Sequence, residues 1–393
     1  MDNQKKIMIL GGGYYQLPLI KKSVELGYYT IVCGIKGDYP GYKYASKWYD
    51  VDTFNKEACL EIARLENIDG IITAGTDQVL PTLGFIVDNM SLYGPSYKST
   101  ILSTNKAEMK ETFKSTGVRT AYFEKVTSIT DCIDFSNKYG FPIVLKVVDA
   151  SGSKGVSIIE NLEELKEQYE IIKSLTSKNY LIIEEFIKGE EFGAQAYVAD
   201  NKLTFVMPHG DLTYKADTNI PIGHYAPYER TEELLSDITE QLQKSISALQ
   251  INNTAINADF ILKDGKVYVI EIGARAGATC LPELVSCHYD INYYEYLINN
   301  CLGINKEVRF NTNNACWVET LISTQTGVVE SIEVPQKNQY ILDIEVYPKK
   351  GDMVHTFRTA YDRIGMFIIK ASNLLKLREN RESVIKLINV KLV

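Results

Sequence analysis

The sequence predicts an α/β protein with a doubly wound parallel sheet at its start and a smaller α+β unit at its end. Three observations lead to this prediction. Strands and helices alternate over residues 6–97, a glycine-rich loop follows an apolar strand near residue 150, and an acid-bearing hairpin occupies residues 256–275. Alternating strands and helices are typical of parallel sheets. A chain of 393 residues can bury the cores of about two to four packed units.

The first unit contains a glycine turn, Gly11-Gly12-Gly13, between a strand at 6–10 and a helix at 16–26. A dinucleotide site would need a third glycine where Gln16 stands, and Asp38 is the only candidate for a ribose-binding acid. We therefore do not expect NAD binding. The glycines would still allow the backbone to approach a small substrate. The unit continues with predicted strands at 30–33 and 70–74 and predicted helices at 56–66 and 76–89.

The middle and end of the chain contain further elements, with no flexible linker or repeat between them. Helices are predicted at 105–116, 125–138, 162–176, 232–249 and 293–302, and from about 372 onward. Strands are predicted at 142–148 and 180–185, and a hairpin at 193–207 turns at Asp200-Asn201.

The hairpin at 256–275 carries the strongest chemical signal. Asp259 lies within its first strand, and Glu271, followed by Arg275, ends its second strand. Carboxylates on apolar strands are costly to bury unless a cation neutralises them. A divalent ion shared by both acids, with Arg275 beside it for an anionic group, accounts for all three residues, and hard oxygen ligands suit Mg²⁺ that is shared with phosphates. The alternative, a surface hairpin with solvated acids, is disfavoured by the apolar residues on both strands.

The register of this hairpin follows from the same hypothesis. A two-residue loop, Asp264-Gly265, would place Asp259 and Glu271 on opposite faces of the sheet. A three-residue loop beginning at Lys263 would place them on one face as diagonal neighbours. Shared metal binding therefore predicts the three-residue loop.

A lysine and a glycine loop form a second candidate site. Lys146 lies in an otherwise apolar strand, and a lysine is rarely buried without an anionic partner. The small-residue loop from Asp149 to Val156 follows it, and its glycines allow the backbone to approach phosphates closely. The loop lacks the Gly-Lys-Ser/Thr ending of a Walker A motif. The two features together predict a phosphate clamp, and the alternative is a lysine that reaches solvent beside a flexible turn.

The strand at 180–185 leads into an acid-rich connector. A backbone that leaves a strand can bond the edge of an adenine, and a later carboxylate can bind both ribose hydroxyls. Glu184 or Glu185, together with Glu191, have a spacing that suits these two functions. The alternative is that these acids are simply solvated.

Together these segments resemble the ATP-grasp superfamily, whose carboxylate–amine ligases include biotin carboxylase, D-alanine–D-alanine ligase and purine-pathway ligases. The resemblance extends in order over nearly the whole chain, beginning at Ile9-Leu10-Gly11-Gly12-Gly13. It implies an ATP-grasp fold with a Rossmann-like domain at 1–100, an ATP-grasp domain at 101–305 whose lid lies at about 120–188, and a C-terminal α+β domain at 306–393.

The resemblance also implies ATP and Mg²⁺, or Mn²⁺, as cofactors. It implies that Asp259 and Glu271 bind the metal and that Arg275 and Lys146 act in catalysis. The residues implied to bind ATP are Lys106, Lys146, Ser151, Ser153, Lys154 and Gly155 at the phosphates, Glu184, Glu185, Phe186 and Ile187 at the adenine, and Glu191 at the ribose.

One departure from the family pattern concerns the metal. Many members have Asn two residues after the metal-binding Glu, whereas this chain has Gly273. A second ion therefore lacks this ligand or obtains it elsewhere, and an Asn introduced at position 273 is expected to supply it.

The substrate residues are the least defined. The segment Gly223-His224-x-x-Pro227 resembles one in amino-acid-ligating members, although Pro221 stands where many of them have an acid. His224, His209 and Arg275 are the candidate substrate residues. Two other histidines, His288 and His355, and also Arg363 are interpreted as structural.

Composition limits the remaining function classes. Charged residues make up 23% of the chain and the net charge is −8, which argues against a broad nucleic-acid-binding surface. No apolar run reaches the length of a membrane span or resembles a signal peptide. The seven cysteines include no CxxC pair, and the histidines are far apart in sequence. We therefore expect a cytoplasmic protein with no disulfide framework and no zinc site.

The activity implied is that of an ADP-forming ligase that joins a small carboxylate, expected to be an amino acid, to an amine through an acyl phosphate. The alternatives are a purine-type enzyme that uses bicarbonate, and a nucleotide-binding protein without catalysis. The expected partners are small molecules, with no nucleic acid or membrane, and a homodimer is possible within the class.

Overall fold

The computed structural model describes residues 4–148, 155–215, 219–304 and 306–393. Within these residues, no helix combines the length and the apolar character needed to cross a membrane. Three of the predicted ATP-binding residues, Ser151, Ser153 and Lys154, lie outside the described part of the chain.

The first unit is a parallel sheet with helices on both sides, as the sequence predicts. Its strands have the order β3-β2-β1-β4. Pro81 stands in the first turn of the third helix, where the missing N–H costs nothing, so this helix begins at Leu80 and not at the predicted position 76. The elements are β1 (Lys6–Leu10), α1 (Leu17–Glu25), β2 (Tyr29–Gly34), β3 (Lys47–Asp50), α2 (Lys56–Glu66), β4 (Gly70–Ile72), α3 (Leu80–Met90), α4 (Tyr97–Thr104) and α5 (Lys106–Thr116).

Residues 123–185, which include most of the predicted lid, contain a separate four-stranded antiparallel sheet and two helices. The predicted helix at 125–138 starts too early. Lys125 and Val126 belong instead to a strand, in which Val126 pairs with Leu181 of a neighbouring strand. The helix begins only after Ser128, which forms a capping box with Asp131. The elements are β5 (Phe123–Val126), α6 (Ile129–Tyr139), β6 (Ile143–Lys146), β7 (Val156–Ile159), α7 (Leu162–Lys173) and β8 (Leu181–Glu185), and the strand order is β5-β8-β6-β7.

The body consists of long antiparallel strands and three helices, and the C-terminal segment adds further strands and one helix. The body elements are β9 (Glu190–Ala199), β10 (Lys202–Lys215), β11 (Asn219–Ala226), α8 (Thr231–Leu249), β12 (Thr254–Lys263), β13 (Lys266–Gly273), α9 (Leu281–Tyr289) and α10 (Tyr293–Cys301). The C-terminal elements are β14 (Ala315–Leu321), β15 (Gly327–Glu333), β16 (Ile341–Val346), β17 (Met353–Val354), β18 (Gly365–Ala371), α11 (Leu374–Leu387) and β19 (Asn389–Leu392).

One eight-stranded sheet connects the body to the C-terminal segment. Its order is β13-β12-β9-β10-β11-β14-β18-β16, while β17, β15 and β19 form a small sheet of their own. The sheet therefore continues across the predicted boundary at residue 305, and the division into three domains stays a prediction. One apolar core includes Met8 and Leu83 of the first unit together with Ile256 and Val269 of the body, so these two units pack closely.

A disulfide joins Cys287 of α9 to Cys316 of β14, with an S–S distance of 2.02 Å. The sequence predicts no disulfide framework, and this single pair is a disulfide that it does not anticipate. The two residues are 29 positions apart and show no local spacing motif, and they meet only because α9 packs against β14. The remaining five cysteines are free and buried.

Candidate active site

A row of functional side chains crosses one face of the large sheet. Glu271 of β13 lies directly opposite Asp259 of β12, and Asp259 lies opposite Gly193 of β9. Gly193 in turn lies opposite His209 of β10. Directly opposed residues project from the same face. A side chain at position 193 would collide with the His209 ring, so the glycine makes room for the histidine beside the acids.

A β-bulge, and not the turn, brings the two acids onto one face. Asp264 and Gly265 have φ values of 50° and 71°, and Lys263 pairs with Lys266, so the loop has two residues. The predicted three-residue loop is therefore wrong. The register shifts between Asp259 and Phe260, which leaves one extra residue, Ile270, in β13. The one-residue shift in register that shared metal binding requires is thus produced by this bulge, next to the acids themselves.

The two acids repel each other. Desolvation by the surrounding protein, and then repulsion by Glu271 and Asp211, raise the pKa of Asp259 to about 7, although the residue is partly open to solvent. Lys106 Nζ lies 3.1 Å from Glu271 Oε2, whereas no described basic side chain forms an ion pair with Asp259. A pair of hard oxygen donors with one unneutralised charge has the chemistry of a Mg²⁺ site.

Lys106 is positioned by the start of α5. The side chain of Asn105 accepts hydrogen bonds from the N–H groups of Ala107 and Glu108 and so caps this helix. Burial would lower the pKa of Lys106, but the neighbouring carboxylates, Glu271 foremost, raise it. The lysine is therefore charged and directed at the acid row.

Two further lysines share one buried carboxylate. Glu184 Oε2 lies 3.0 Å from Lys146 Nζ and 3.2 Å from Lys110 Nζ. Glu184 is 5% exposed and Lys110 is 4% exposed. Burial alone would raise the pKa of Glu184, but the two lysines outweigh it and lower that pKa. The cluster carries one positive charge in excess, which suits an anionic ligand.

This cluster adds two facts that the sequence analysis missed. Glu184 acts as a counter-ion for lysines, and its contact with adenine stays a prediction. Lys110 was not assigned to the site, although its spacing of four residues from Lys106 puts both lysines on one face of α5.

The predicted adenine and ribose residues lie along the connection from β8 to β9. Phe186 N–H donates to the Pro142 carbonyl at 3.3 Å, and Ile187 is buried while Glu191 is exposed at the start of β9. Gly155 has a φ of +67° and accepts from the Val147 N–H at 2.9 Å through its carbonyl. These positions do not test the predicted contacts of these residues with ATP, which stay predictions.

Arg275 forms a two-pronged ion pair with Asp77 of the first unit. Its Nε and Nη2 atoms donate to the two carboxylate oxygens at 2.9 and 2.7 Å, and both side chains are largely buried. No local pattern points to Asp77, which lies 198 residues from Arg275 in the sequence.

Two histidines share one carboxylate at the end of the acid row. Asp211 Oδ1 lies 3.0 Å from His209 Nδ1 and 2.5 Å from His224 Nδ1. Asp211 and His224 are directly opposed, so they continue the same face. The three ligand atoms lie within 4.8 Å of one another, but both Nδ1 atoms already share one oxygen. Burial opposes the charge on Asp211, yet electrostatic attraction to the His209 and His224 rings, followed by the hydrogen bonds from them, lowers its pKa.

His224 presents a free lone pair. Donation from Nδ1 to Asp211 makes Nε2 the acceptor in the neutral ring, and burial lowers the pKa of this histidine despite the carboxylate. His224 Nε2 is buried and has no hydrogen-bond partner among the described residues. His209 differs, because its Nε2 lies 3.4 Å from Gln195 Nε2.

Comparisons with known proteins identify the family of this chain. The ATP-grasp domain profile matches residues 139–283, and the profile of L-amino acid ligase C-terminal domain 2 matches residues 319–393. The crystal structure of phosphoribosylglycinamide synthetase from Anaerococcus prevotii is 32% identical, covers all of both chains and superposes with a TM-score of 0.87. This chain belongs to the ATP-grasp family. It is accordingly an ATP-dependent ligase of the carboxylate–amine class.

Two amino acid ligases are also similar to this ATP-grasp protein. The L-arginine-specific L-amino acid ligase of Bacillus subtilis is 25% identical over 311 residues, which are 77% of this chain and 75% of that protein. The L-amino acid ligase structure from Bacillus licheniformis covers all of both chains with a TM-score of 0.83 at 18% identity, and this second likeness concerns the fold.

Proposed function

We propose that this ATP-grasp protein phosphorylates the carboxylate of an amino acid with ATP and couples the acyl phosphate to an amine. The observation that carries the proposal is the row on one sheet face, in which the acid pair Asp259 and Glu271 is followed by His209, Asp211 and His224. The acid pair serves phosphoryl transfer, and the free histidine lone pair serves an amine.

Asp259 and Glu271 would hold Mg²⁺, and their mutual repulsion is the feature that such an ion relieves. When bound, the ion supplies neutralising charge for the ATP phosphates. Asp259 has no described cationic partner, and Lys106 compensates only Glu271. Replacement by Mn²⁺, a homodimer and a cytoplasmic location remain predictions from the sequence.

In the first step, an oxygen of the substrate carboxylate attacks the γ-phosphorus of ATP. The bond from this phosphorus to the β–γ bridging oxygen breaks, and ADP leaves. The chain's own contribution is positioning and charge. Lys106 and Lys146 would hold the phosphates, and Glu184 keeps the ammonium groups of Lys146 and Lys110 about 3 Å from its own carboxylate.

In the second step, the amine nitrogen attacks the acyl carbon, and the bond from that carbon to the phosphate oxygen breaks. The proton that the nitrogen loses as the amide forms leaves with the released phosphate. A protonated amine must first lose a proton, and the lone pair of His224 Nε2 can receive it. Asp211 is a positioning residue, because its bond to Nδ1 fixes the tautomer in which Nε2 is the acceptor. Arg275 would face the negative charge that develops at the acyl phosphate.

A purine-type reaction is the second candidate. It is favoured by the 32% identity, over the whole chain, with the Anaerococcus prevotii enzyme. The match of residues 319–393 to the L-amino acid ligase C-terminal domain and the free His224 lone pair favour the amino acid ligase instead.

The deciding experiment measures ADP and phosphate release with each amino acid, alone and in pairs, in the presence of Mg²⁺. Hydroxylamine in place of the amine traps an acyl phosphate as a hydroxamate, which reports the first step alone. Bicarbonate forms one separate arm, and glycine together with phosphoribosylamine forms another. Turnover that requires bicarbonate or phosphoribosylamine, with no product from any pair of amino acids, would establish the purine-type alternative, and no turnover in any arm would indicate a nucleotide-binding protein.

A further inference from the structure

Gln195 of β9 is a fully buried polar residue next to the acid row. Its exposed fraction is 0%. It lies two residues from Gly193 and directly opposite Asn257 of β12, so its side chain projects from the same face of the sheet as the acid row. A buried amide is costly unless its donors and its acceptor have partners. The partners of Gln195 therefore show which of its atoms donate and in which direction.

The backbone of Gly277 fixes the orientation of the Gln195 amide. The Gly277 N–H can only donate, and it lies 3.1 Å from Gln195 Oε1. The opposite orientation would set this N–H against the amide NH2 group. The NH2 group is therefore on the other side, where it donates to Asn257 Oδ1 at 2.7 Å.

The same NH2 group fixes the proton position on His209. Gln195 Nε2 lies 3.4 Å from both the Ala194 carbonyl oxygen and His209 Nε2, which leaves its second N–H facing two acceptors. A ring nitrogen that faces an N–H donor must present its lone pair, because two hydrogens would repel each other. His209 therefore has its proton on Nδ1, which donates to Asp211 Oδ1 at 3.0 Å. The ring is neutral in this arrangement.

A neutral His209 leaves the charge of Asp211 available to His224. Both rings donate from Nδ1 to the same Asp211 oxygen, and their centroids are 5.2 Å apart. A positively charged His209 would neutralise Asp211 and repel a second positive charge on His224. The imidazolium that forms when His224 takes up a proton is therefore stabilised by Asp211 only while His209 stays uncharged.

The amide also connects two parts of the proposed reaction centre. Gly277 comes two residues after Arg275, which would face the acyl phosphate, whereas His209 belongs to the histidine pair that would face the amine. A continuous chain of hydrogen bonds thus runs from the segment after Arg275 to the proton acceptor. Its members are Gly277, Gln195, His209, Asp211 and His224.

We propose that Gln195 is a positioning residue for the amine step. Its amide holds His209 as a neutral ring that donates from Nδ1, so that the Asp211 carboxylate stabilises the His224 ring when this ring receives the amine proton. The inference rests on the proposed function, and it goes further by assigning the residue that sets the proton positions of the histidine pair.

The first test uses the wild-type protein alone. The chain has four histidines, so nitrogen NMR spectra of the full chain with isotopically labelled histidine can follow each ring, and replacing one histidine at a time assigns the signals. Protonated and bare ring nitrogens differ in chemical shift. At neutral pH we expect a protonated Nδ1 and a bare Nε2 in His209. A proton on His209 Nε2, in either the other neutral tautomer or the charged ring, would overturn the proposal.

The second test changes the partner of His209. Gln195→Glu still accepts from the Gly277 N–H but places a carboxylate opposite His209 Nε2, and should therefore charge this ring. The kcat/KM for the amine should fall by about tenfold or more, because proton transfer to His224 is impaired. Hydroxamate formation should change by less than about twofold, since hydroxylamine is uncharged at neutral pH and needs no proton acceptor. Gln195→Met, which removes all hydrogen bonds of the amide, should lower kcat of the amine step more than it changes KM.

Gln241→Glu and Gln241→Met are the matched controls. Gln241 of α8 is 1% exposed, and its Oε1 likewise accepts a backbone N–H, that of Arg119, at 2.9 Å. No histidine is among its hydrogen-bond partners in the described part of the chain. These variants should keep the wild-type histidine spectra and the wild-type ratio of amine transfer to hydroxamate formation. Thermal unfolding of all variants reports folding.

The outcomes separate this inference from the proposed function. If both Gln195 variants lower amine transfer and hydroxamate formation by the same factor, Gln195 is only structural and the inference is overturned. It is also overturned if Gln195→Glu charges His209 and leaves kcat/KM for the amine unchanged. Absence of hydroxamate with every amino acid in wild type would refute the ligase proposal itself, whatever the histidine spectra show. The wild-type spectra can overturn the inference even if the variants fail to fold.

Discussion

Asp77 Oδ1 lies 2.8 Å from the point at which a Cβ on Gly273 would stand. Gly273 and Glu271 are two residues apart in β13 and project from the same face. The carboxylate of the first unit therefore occupies the space of the side chain that relatives place here. The departure at Gly273 therefore has a steric consequence, because a larger residue would require the Asp77 carboxylate, held by its ion pair with Arg275, to move.

The first prediction follows from this contact. Gly273→Ala should displace Asp77, release Arg275 and lower kcat/KM by about tenfold or more, because a charge-assisted pair at the site is lost. Gly273→Asn should act in the same direction, contrary to the sequence-based expectation that it restores a metal ligand. The measurement is steady-state phosphate release over a range of Mg²⁺ concentrations.

Asp77→Asn serves as the companion of these variants. If the glycine acts through Asp77, the double variant should be no worse than the more impaired single variant, since both remove one interaction. Additive losses would show that Gly273 acts independently of the ion pair. A lower Mg²⁺ requirement in Gly273→Asn would restore the original expectation.

The second prediction concerns the acid pair. Asp259→Asn and Glu271→Gln should each lower activity steeply, with partial recovery at high Mg²⁺, because each loses an anionic ligand but keeps its shape. Glu271 should matter more, since the resemblance to the ATP-grasp family implies that this residue is shared by two ions. Titration with Mn²⁺ followed by electron paramagnetic resonance measures binding without turnover. Unaltered Mn²⁺ affinity in Asp259→Asn would contradict the metal assignment.

The parts of the site that the sequence predicts are those encoded in local patterns. Asp259 and Glu271 stand out because they interrupt apolar strands, and Lys146 stands out for the same reason. The doubly wound first unit follows from the alternation of strands and helices, and the body hairpin follows from Asp200-Asn201.

The parts that the sequence does not predict depend on distant partners. Asp77 pairs with Arg275 across 198 residues, and neither residue carries a local signal for the other. The predicted three-residue loop is wrong because the shift in register comes from a bulge next to Asp259. The position of a bulge depends on how a strand fits its neighbours, and the turn residues do not reveal it. The separation of the histidines in the sequence argues against a shared metal site and gives no sign of a common partner, yet neighbouring strands bring His209 and His224 onto one carboxylate.

The third prediction tests the lysine cluster. Lys146→Ala should weaken ATP binding and abolish turnover while the fold survives, because Glu184 keeps Lys110 as its partner. Lys110→Ala should destabilise the protein more, since this lysine is 4% exposed and its loss leaves a buried carboxylate with one partner fewer. Calorimetric titration with ATP and thermal unfolding measure the two effects. Unchanged ATP affinity in Lys146→Ala would refute its role.

The last prediction is the pH dependence of the amine step. Burial lowers the pKa of His224 from its usual 6.5, so the ring is neutral at pH 7, and its protonation on acidification removes the lone pair at Nε2. The kcat/KM for the amine should therefore fall on the acid side, approaching about tenfold per pH unit. Among the groups that face this ring, Asp211 favours the protonated form and His209 opposes it.

Asp211→Asn should consequently move this acidic limb to lower pH, because the variant loses the carboxylate that favours a charged ring. It should also lower the plateau, because an amide no longer fixes Nδ1 as the donor. Hydroxamate formation should be unaffected, since the first step uses no proton acceptor at His224. The free energy of unfolding should also change with pH in a defined direction. The lowered pKa of Asp211 stabilises the folded state above its usual value of 3.8, and this contribution is lost as the pH falls further. An acidic limb that moves to higher pH in Asp211→Asn, or a loss of hydroxamate formation, would contradict the division of labour between the acid pair and the histidine pair.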